Sequence, residues 1–128
     1  MKPLLDDLVA RLRTPAPSSV PHLIHGDLSG NVLFAPGLSP AIIDFSPYWR
    51  PAAYASAVVA VDGVLLFGAG EALLQRAADE AGTVQTLLRA LSFRLIALDE
   101  RSRVDALALD ELPQFNAATS MIENVRIG

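Results

Sequence analysis

The sequence predicts a mainly helical domain with a short β-hairpin near its front. Two observations carry that expectation. From Ala52 onward the apolar runs have helical length and are broken by Gly68, Gly70 and Gly82, as helix ends require. The only short strand-like runs, HLIH, NVLF and AIIDF, crowd between residues 22 and 45. With 128 residues, of which 52% are hydrophobic and 19% charged, the chain is expected to form a single domain over 1–128.

Residues 3–13 set Leu4, Leu5, Leu8 and Leu12 on one stripe and predict an opening amphipathic helix. A proline-serine connector, TPAPSSVP at 14–21, ends it. The β-type segment covers about 20–50, including a proline-marked SPYWRP, and the helical part covers about 51–128. Its helices are expected over Ala52–Phe67, Glu71–Ala81, Thr83–Arg103 and Gln114–Arg126, the last with Pro113 at its start. In the third, Val84, Leu87, Leu88, Leu91, Leu95 and Leu98 form a core stripe while Arg89 and Arg94 face elsewhere. The arginines between 89 and 103 alternate with Asp99, Glu100 and Asp105, the pattern of a solvated, paired face.

Composition also excludes function classes. No cysteine is present, which removes disulfides, thiol nucleophiles and thiolate zinc sites. Ten basic against fourteen acidic residues give a net charge of −4, so neither nucleic acid nor an anionic membrane is an expected partner. The run from Pro51 to Gly70 is the one membrane candidate, but Asp62 interrupts it and alanine and glycine dilute it, so it reads as a core helix. The N-terminus shows no secretory pattern, and a cytoplasmic location is expected. Gly68-Ala69-Gly70 resembles a dinucleotide loop only superficially, because Leu73 stands at the third glycine and a helix-length run precedes it.

Chemistry concentrates in His25, Asp27, Ser29, Asn31 and Asp44. If NVLFA and PAIID pair around a turn at Pro36–Ser39, Asn31 faces Asp44. Directly opposed residues bring their Cβ atoms within about 4.5–5.5 Å. An amide oxygen and a carboxylate at that separation suit a hard cation such as magnesium, and Asp27 adds a third oxygen donor. Such a group suits phosphoryl transfer, which needs a carboxylate for the acceptor hydroxyl and oxygens to hold magnesium against phosphates.

HGDLSGNVLF followed by IIDF resembles the catalytic loop and metal-binding aspartate of the aminoglycoside phosphotransferase-like kinases, small-molecule relatives of protein kinases. The resemblance covers roughly residues 20–50. It implies the C-terminal lobe of a kinase-like fold, with ATP and Mg2+ as cofactors and a small-molecule hydroxyl as acceptor. Asp27 would be the catalytic base, Asn31 and Asp44 the magnesium ligands, and His25 a structural anchor of the loop.

Three departures stand beside the resemblance. Asp27 and Asn31 are four apart where the family pattern has five. SPYWRP replaces a Gly-Asp-Pro stretch and its second aspartate, leaving Asp62 as a stand-in to brace the loop. No glycine-rich loop precedes HGD, and Lys2, the only lysine, stands before a helix rather than within a strand. The N-terminal lobe is therefore expected to be absent and the ATP site half complete, which makes self-association or a partner over the missing lobe an expectation.

The competing readings are a non-catalytic remnant or partner-docking helical module, and a metal-dependent hydrolase built on His25, Asp27 and Asp44. Tyr48, Trp49 and Arg50 read equally well as acceptor contacts or as anchors of a rigid turn. For each of Asp27, Asn31 and Asp44 taken singly, turn chemistry is the ordinary role.

Overall fold

The structure, a computed structural model, describes residues 1–12 and 20–127. It is mainly helical, with two small antiparallel β-ladders between the first helix and the rest. Most of the predicted connector, 14–19, lies outside the described residues, as does Arg13 at the predicted end of the first helix.

Helix α1 spans Lys2–Arg11 and tolerates Pro3 because the first helical turn lacks an internal partner for that nitrogen. Its leucine stripe behaves as expected, with Leu8 fully buried and Leu4, Leu5 and Leu12 packed against the core. Strand β1 (Pro21–His25) pairs antiparallel with β4 (Pro47–Pro51), and β2 (Val32–Leu33) pairs antiparallel with β3 (Ala41–Ile42). Helices α2 (Ala52–Phe67), α3 (Glu71–Ala81), α4 (Gln85–Ser102) and α5 (Leu112–Glu123) follow, with a 3-10 helix at Ala106–Glu111 before α5.

Glycine punctuation works as the sequence suggests. Gly68 and Gly82 cap α2 and α3 at φ +70° and +69°, a left-handed geometry that only glycine adopts without strain. Gly68 is thus a helix end and not part of a dinucleotide loop. Helix α2 forms the centre of the domain, touching α3, α4, α5, β1 and β4. Leu74, Leu87, Leu91, Leu95, Leu98, Val58 and Val61 are fully buried, so the predicted leucine stripe of α4 is the core. Arg11 fastens α1 to α5 by an ion pair with Glu123 at 2.6 Å. Among the described residues, no helix is long and apolar enough to cross a membrane.

Four local expectations change. SPYWRP is not only a turn: its Pro47–Pro51 forms strand β4, with Leu23 opposite Trp49 and Ile24 opposite Tyr48. Prolines are tolerated there because both sit at the strand's ends in a two-stranded, all-edge ladder. The hairpin register differs by one residue, pairing Val32 with Ile42 and Leu33 with Ala41. The turn closes over Ala35–Leu38, with the Leu38 N–H donating to the Ala35 carbonyl at 3.2 Å. Pro36 and Gly37 (φ +73°) occupy its central positions, the proline-glycine preference of a type II turn. The last two helices begin within two residues of expectation, at Gln85 and at Leu112, the ordinary uncertainty of helix ends. The 3-10 helix is an addition, nucleated by Asp105, whose Oδ1 accepts from the Leu107 N–H at 3.0 Å.

Truncating Leu95 to alanine is expected to lower unfolding free energy by about 2–5 kcal/mol in a urea titration, while Leu66→Ala, at an exposed position, stays within about 0.5 kcal/mol.

Candidate active site

The segment predicted to carry chemistry folds as one hydrogen-bonded knot at the end of the two ladders. Strand β1 delivers His25, and the chain then turns through Gly26–Gly30 before β2. Gly26 is required by contact: a Cβ there would run into the ring of Tyr48. The Gly26 N–H donates to the Ser46 carbonyl at 2.8 Å and closes the loop against the start of β4.

His25 holds the loop with both ring nitrogens. Nδ1 accepts from the Asp27 N–H at 3.0 Å, and Nε2 lies 3.1 Å from the Ile43 carbonyl. Only a neutral ring protonated at Nε2 satisfies both bonds, since Nδ1 must accept and Nε2 must donate. Phe45 stacks edge-on against the same ring at 5.5 Å. The predicted anchoring role of His25 therefore has a concrete form: it ties the backbone of Asp27 to the residue preceding Asp44.

Asn31 completes the knot. Its Nδ2–H donates to the Asp27 carbonyl at 2.7 Å, its N–H donates to the Leu28 carbonyl at 2.9 Å, and its own carbonyl accepts from Ile43 at 2.9 Å. The four residues from Asp27 to Asn31 are spanned by a tight turn through Gly30, at φ +79°. The one-residue register difference means that Asn31 meets Ile43, not Asp44 as the simple hairpin implied. Asp44 follows at once, exposed and left-handed at φ +49°, the only non-glycine residue with positive φ among those described. Aspartate tolerates that region better than bulkier residues, yet the conformation still costs about 1–3 kcal/mol and such outliers cluster at functional sites.

The side chain of Asp27 is held from the helical side. Arg94 on α4 donates from Nη2 to Asp27 Oδ1 at 2.9 Å, and simultaneously grips Asp62 on α2 through Nε–Oδ1 (2.7 Å) and Nη2–Oδ2 (2.6 Å). Asp62 is only 1% exposed, so its charge requires this partner. Burial by itself would lower the Arg94 pKa, but the hydrogen bonds it donates to Asp62 and then Asp27 outweigh it and raise the pKa above the ordinary arginine value. Asp62 therefore braces the loop indirectly, through Arg94.

Arg94 is the residue that sequence reasoning missed, having been assigned to a solvated face. A signal was present: with helical spacing it sits beside Leu91, Leu95 and Leu98, inside the core stripe, and Asp62 is the one charge in an apolar helix. Arg89, by contrast, lies 3.4 Å from Gln85 on its own helix. Tyr48 proves an anchor, packed on Gly26 and edge-on to Phe93 at 6.2 Å, whereas Trp49 stays exposed.

A cleft of about 590 Å³ opens beside this knot, lined by Asp27, Ser29 and Arg94 and by residues of α2, α4 and α5. Across it Arg101 grips Glu111 with two parallel bonds of 2.9 Å. The hydrogen bond from Arg101 holds the Glu111 carboxyl below its usual range.

Among the described residues no group of three or more His, Cys, Asp or Glu side chains is arranged to hold a metal. The side-chain oxygens of Asn31 and Asp44, and one carboxylate oxygen of Asp27, have no hydrogen-bond partner among the described residues. All are hard donors of the type magnesium takes, an ion that keeps several waters and leans on one or two carboxylates plus substrate phosphates. The donor set fits magnesium in chemistry. Comparison with protein-family models, with curated proteins and with solved structures returns no match at all.

Removing the arginine while leaving Asp62 buried is expected to be severe: Arg94→Met should cost about 3–5 kcal/mol in chemical denaturation, with most of it recovered in Arg94→Met/Asp62→Leu. The Glu111 contact is more modest. A carboxyl with a depressed folded-state pKa contributes stability above its unfolded pKa and loses it as pH falls through the folded value. Carboxyl NMR titration should accordingly place Glu111 below the ordinary glutamate midpoint in the native chain and return it to that midpoint in Arg101→Gln.

Proposed function

We propose that the chain is the catalytic-loop half of a small-molecule phosphotransferase, moving the terminal phosphoryl group of ATP to a hydroxyl. The single observation that carries this reading is the position of Asp27. Its backbone is locked to the Asn31–Asp44 side of the loop by His25 and Asn31, while its carboxylate lines the cleft. In-line transfer sets the acceptor hydroxyl and the leaving group on opposite sides of the phosphorus, with the base beside the acceptor, and the cleft gives an acceptor a place beside Asp27.

In this reading a hydroxyl in the cleft gives its proton to Asp27. The oxygen then forms a bond to the terminal phosphorus as the bond to the bridging oxygen breaks, releasing ADP. Arg94, occupying one carboxylate oxygen, fixes the rotamer of Asp27 and leaves the other oxygen to take the proton. Asn31 and Asp44 would hold magnesium, which when bound neutralises charge on the phosphates. Ser29, beside Asp27 in the cleft, offers a hydroxyl to the acceptor. Lys2, the only lysine, lies on α1 paired with Asp6 at 2.9 Å. In this reading that lysine is not the group that clamps the triphosphate.

The partner-docking reading has an observation of its own: Leu23 and Trp49 face each other on one exposed surface of the β1–β4 ladder, and Phe34, Ile42 and Phe45 are exposed nearby in sequence. The hydrolase reading loses ground because both nitrogens of His25 are engaged by backbone groups.

Calorimetric titration with ADP and magnesium is the direct test. Binding should require the metal and weaken by about tenfold in Asp44→Ala, while Asp27→Asn stays near the native affinity. Nucleotide binding that ignores magnesium, or none in a folded chain, overturns the reading. Phosphorus NMR of the 128-residue chain with ATP and simple alcohols should show no measurable transfer. Turnover abolished by Asp27→Asn would show instead that the chain needs no further lobe.

A further inference from the structure

We infer that the cleft beside Asp27 takes an uncharged alcohol with an apolar body, and not a polycation. The role of Asp27 as base rests on the phosphotransfer reading; the binding preference does not. The cleft's volume of about 590 Å³ falls inside the range of about 300–1,000 Å³ that encloses metabolite-sized ligands.

The charge arrangement selects among ligands. Three carboxylates and two guanidiniums line the cleft, and each is bonded within it, Asp27 through one of its two oxygens only. Arg94 holds Asp62 and Asp27, and Arg101 holds Glu111 through two parallel bonds. A polyamine must find several carboxylates free to receive it, and of the three only Asp27 keeps an oxygen without a partner among the described residues. Asp62 is buried and doubly bonded, and Glu111 would have to surrender two charge-assisted bonds to serve. An anion fares no better, because each arginine faces it with a carboxylate already attached.

An uncharged hydroxyl fits what remains. Asp27 keeps one oxygen without a partner among the described residues, and Ser29 stands in the same lining. Apart from the charged pairs and Gln114 the rest of the lining is apolar: Leu65 and Leu66 come from α2, Ala97 from α4 and Phe115 from α5, and Leu66 is 65% exposed. Arg101 lies seven residues beyond Arg94 on α4, about 10 Å of axial rise, so the hydroxyl end and the Arg101–Glu111 pair bracket a body of roughly bicyclic size.

The test needs no nucleotide. The folded chain is titrated with 2-(2-naphthyl)ethanol, with spermine and with 2-naphthylacetate, following methyl and amide NMR signals. The alcohol is expected to saturate, shifting Leu65, Leu66, Ala97 and Phe115, with the two charged probes weaker by about tenfold or more. Leu66→Glu should weaken the alcohol by a similar factor, and Leu66→Ser, a milder change at the same exposed position, by less. Dispersed amide spectra of both variants confirm that they fold. Tighter binding of spermine or of the acid, or no saturable shift with the alcohol, overturns the inference. Failure of magnesium-dependent ADP binding alongside intact alcohol binding would remove the phosphotransfer reading and leave the cleft's preference standing.

Discussion

A buried carboxylate needs a partner, and in this chain that requirement links the helical core to the loop that carries Asp27. Asp62 sits on the central helix at almost zero exposure, and Arg94 answers it across the α2–α4 packing. Replacing such a pair with well-packed apolar residues is often neutral or stabilising, so stability alone is a poor reason for it. Its geometry supplies a better one. Having satisfied Asp62 with two nitrogens, the guanidinium reaches the carboxylate of Asp27, on a short loop whose other restraints come only from the β-ladders. The rotamer of a half-buried loop aspartate thereby inherits the rigidity of two packed helices, the kind of support a functional side chain requires.

The same arrangement explains what was legible in the sequence. Helices announced themselves because α2 and α3 end on Gly68 and Gly82, and because Leu87, Leu91, Leu95 and Leu98 repeat at helical spacing. Those are local signals. His25, Asp27 and Asn31 were legible as a cluster for the same reason, lying within seven consecutive residues. Arg94 was not, because its role depends on residues 32 and 67 positions away, and a charge pattern along one helix cannot report a partner on another. The hairpin register fell between these cases. Proline and glycine at 36 and 37 fix the turn locally, yet the pairing shifts by one and every opposed pair changes with it. Strand β4 was obscured by its own prolines, which are permitted only because the ladder has no central strand.

Burial divides the molecule unevenly. The helical part encloses its leucines, whereas Leu23, Leu33, Phe34, Leu38, Ile42 and Trp49 in the β-type segment remain open. Two-stranded ladders carry unpaired edges on both sides and are marginal by themselves. Here they are stabilised from one side only, by Ile24 beneath the sheet and by Tyr48 against Gly26 and α4. Exposed apolar residues adjoining Asn31 and Asp44 in the chain form the surface that, in the proposed reading, a phosphate-clamping element would cover. The proposed function and the docking reading therefore call for the same face, and differ in what covers it.

Asp27 is the point at which these arguments meet. Its N–H and carbonyl are engaged by His25 and Asn31, and its carboxylate by Arg94, so three elements restrain one residue along three directions. A turn-forming aspartate needs none of this, because a hydrogen bond to its own backbone suffices for an Asx turn. Restraint beyond what the turn requires is what a reacting carboxylate needs, since a displacement of about 1 Å at a proton acceptor can cost two orders of magnitude in rate. Asp44 carries the complementary sign. It is unrestrained by side-chain bonds but is kept in a left-handed backbone that costs energy, directly after the residue His25 grips. Strain at one aspartate and restraint at the other, joined through the imidazole of His25, are what the proposed reading asks of a metal ligand and a base carried on one loop.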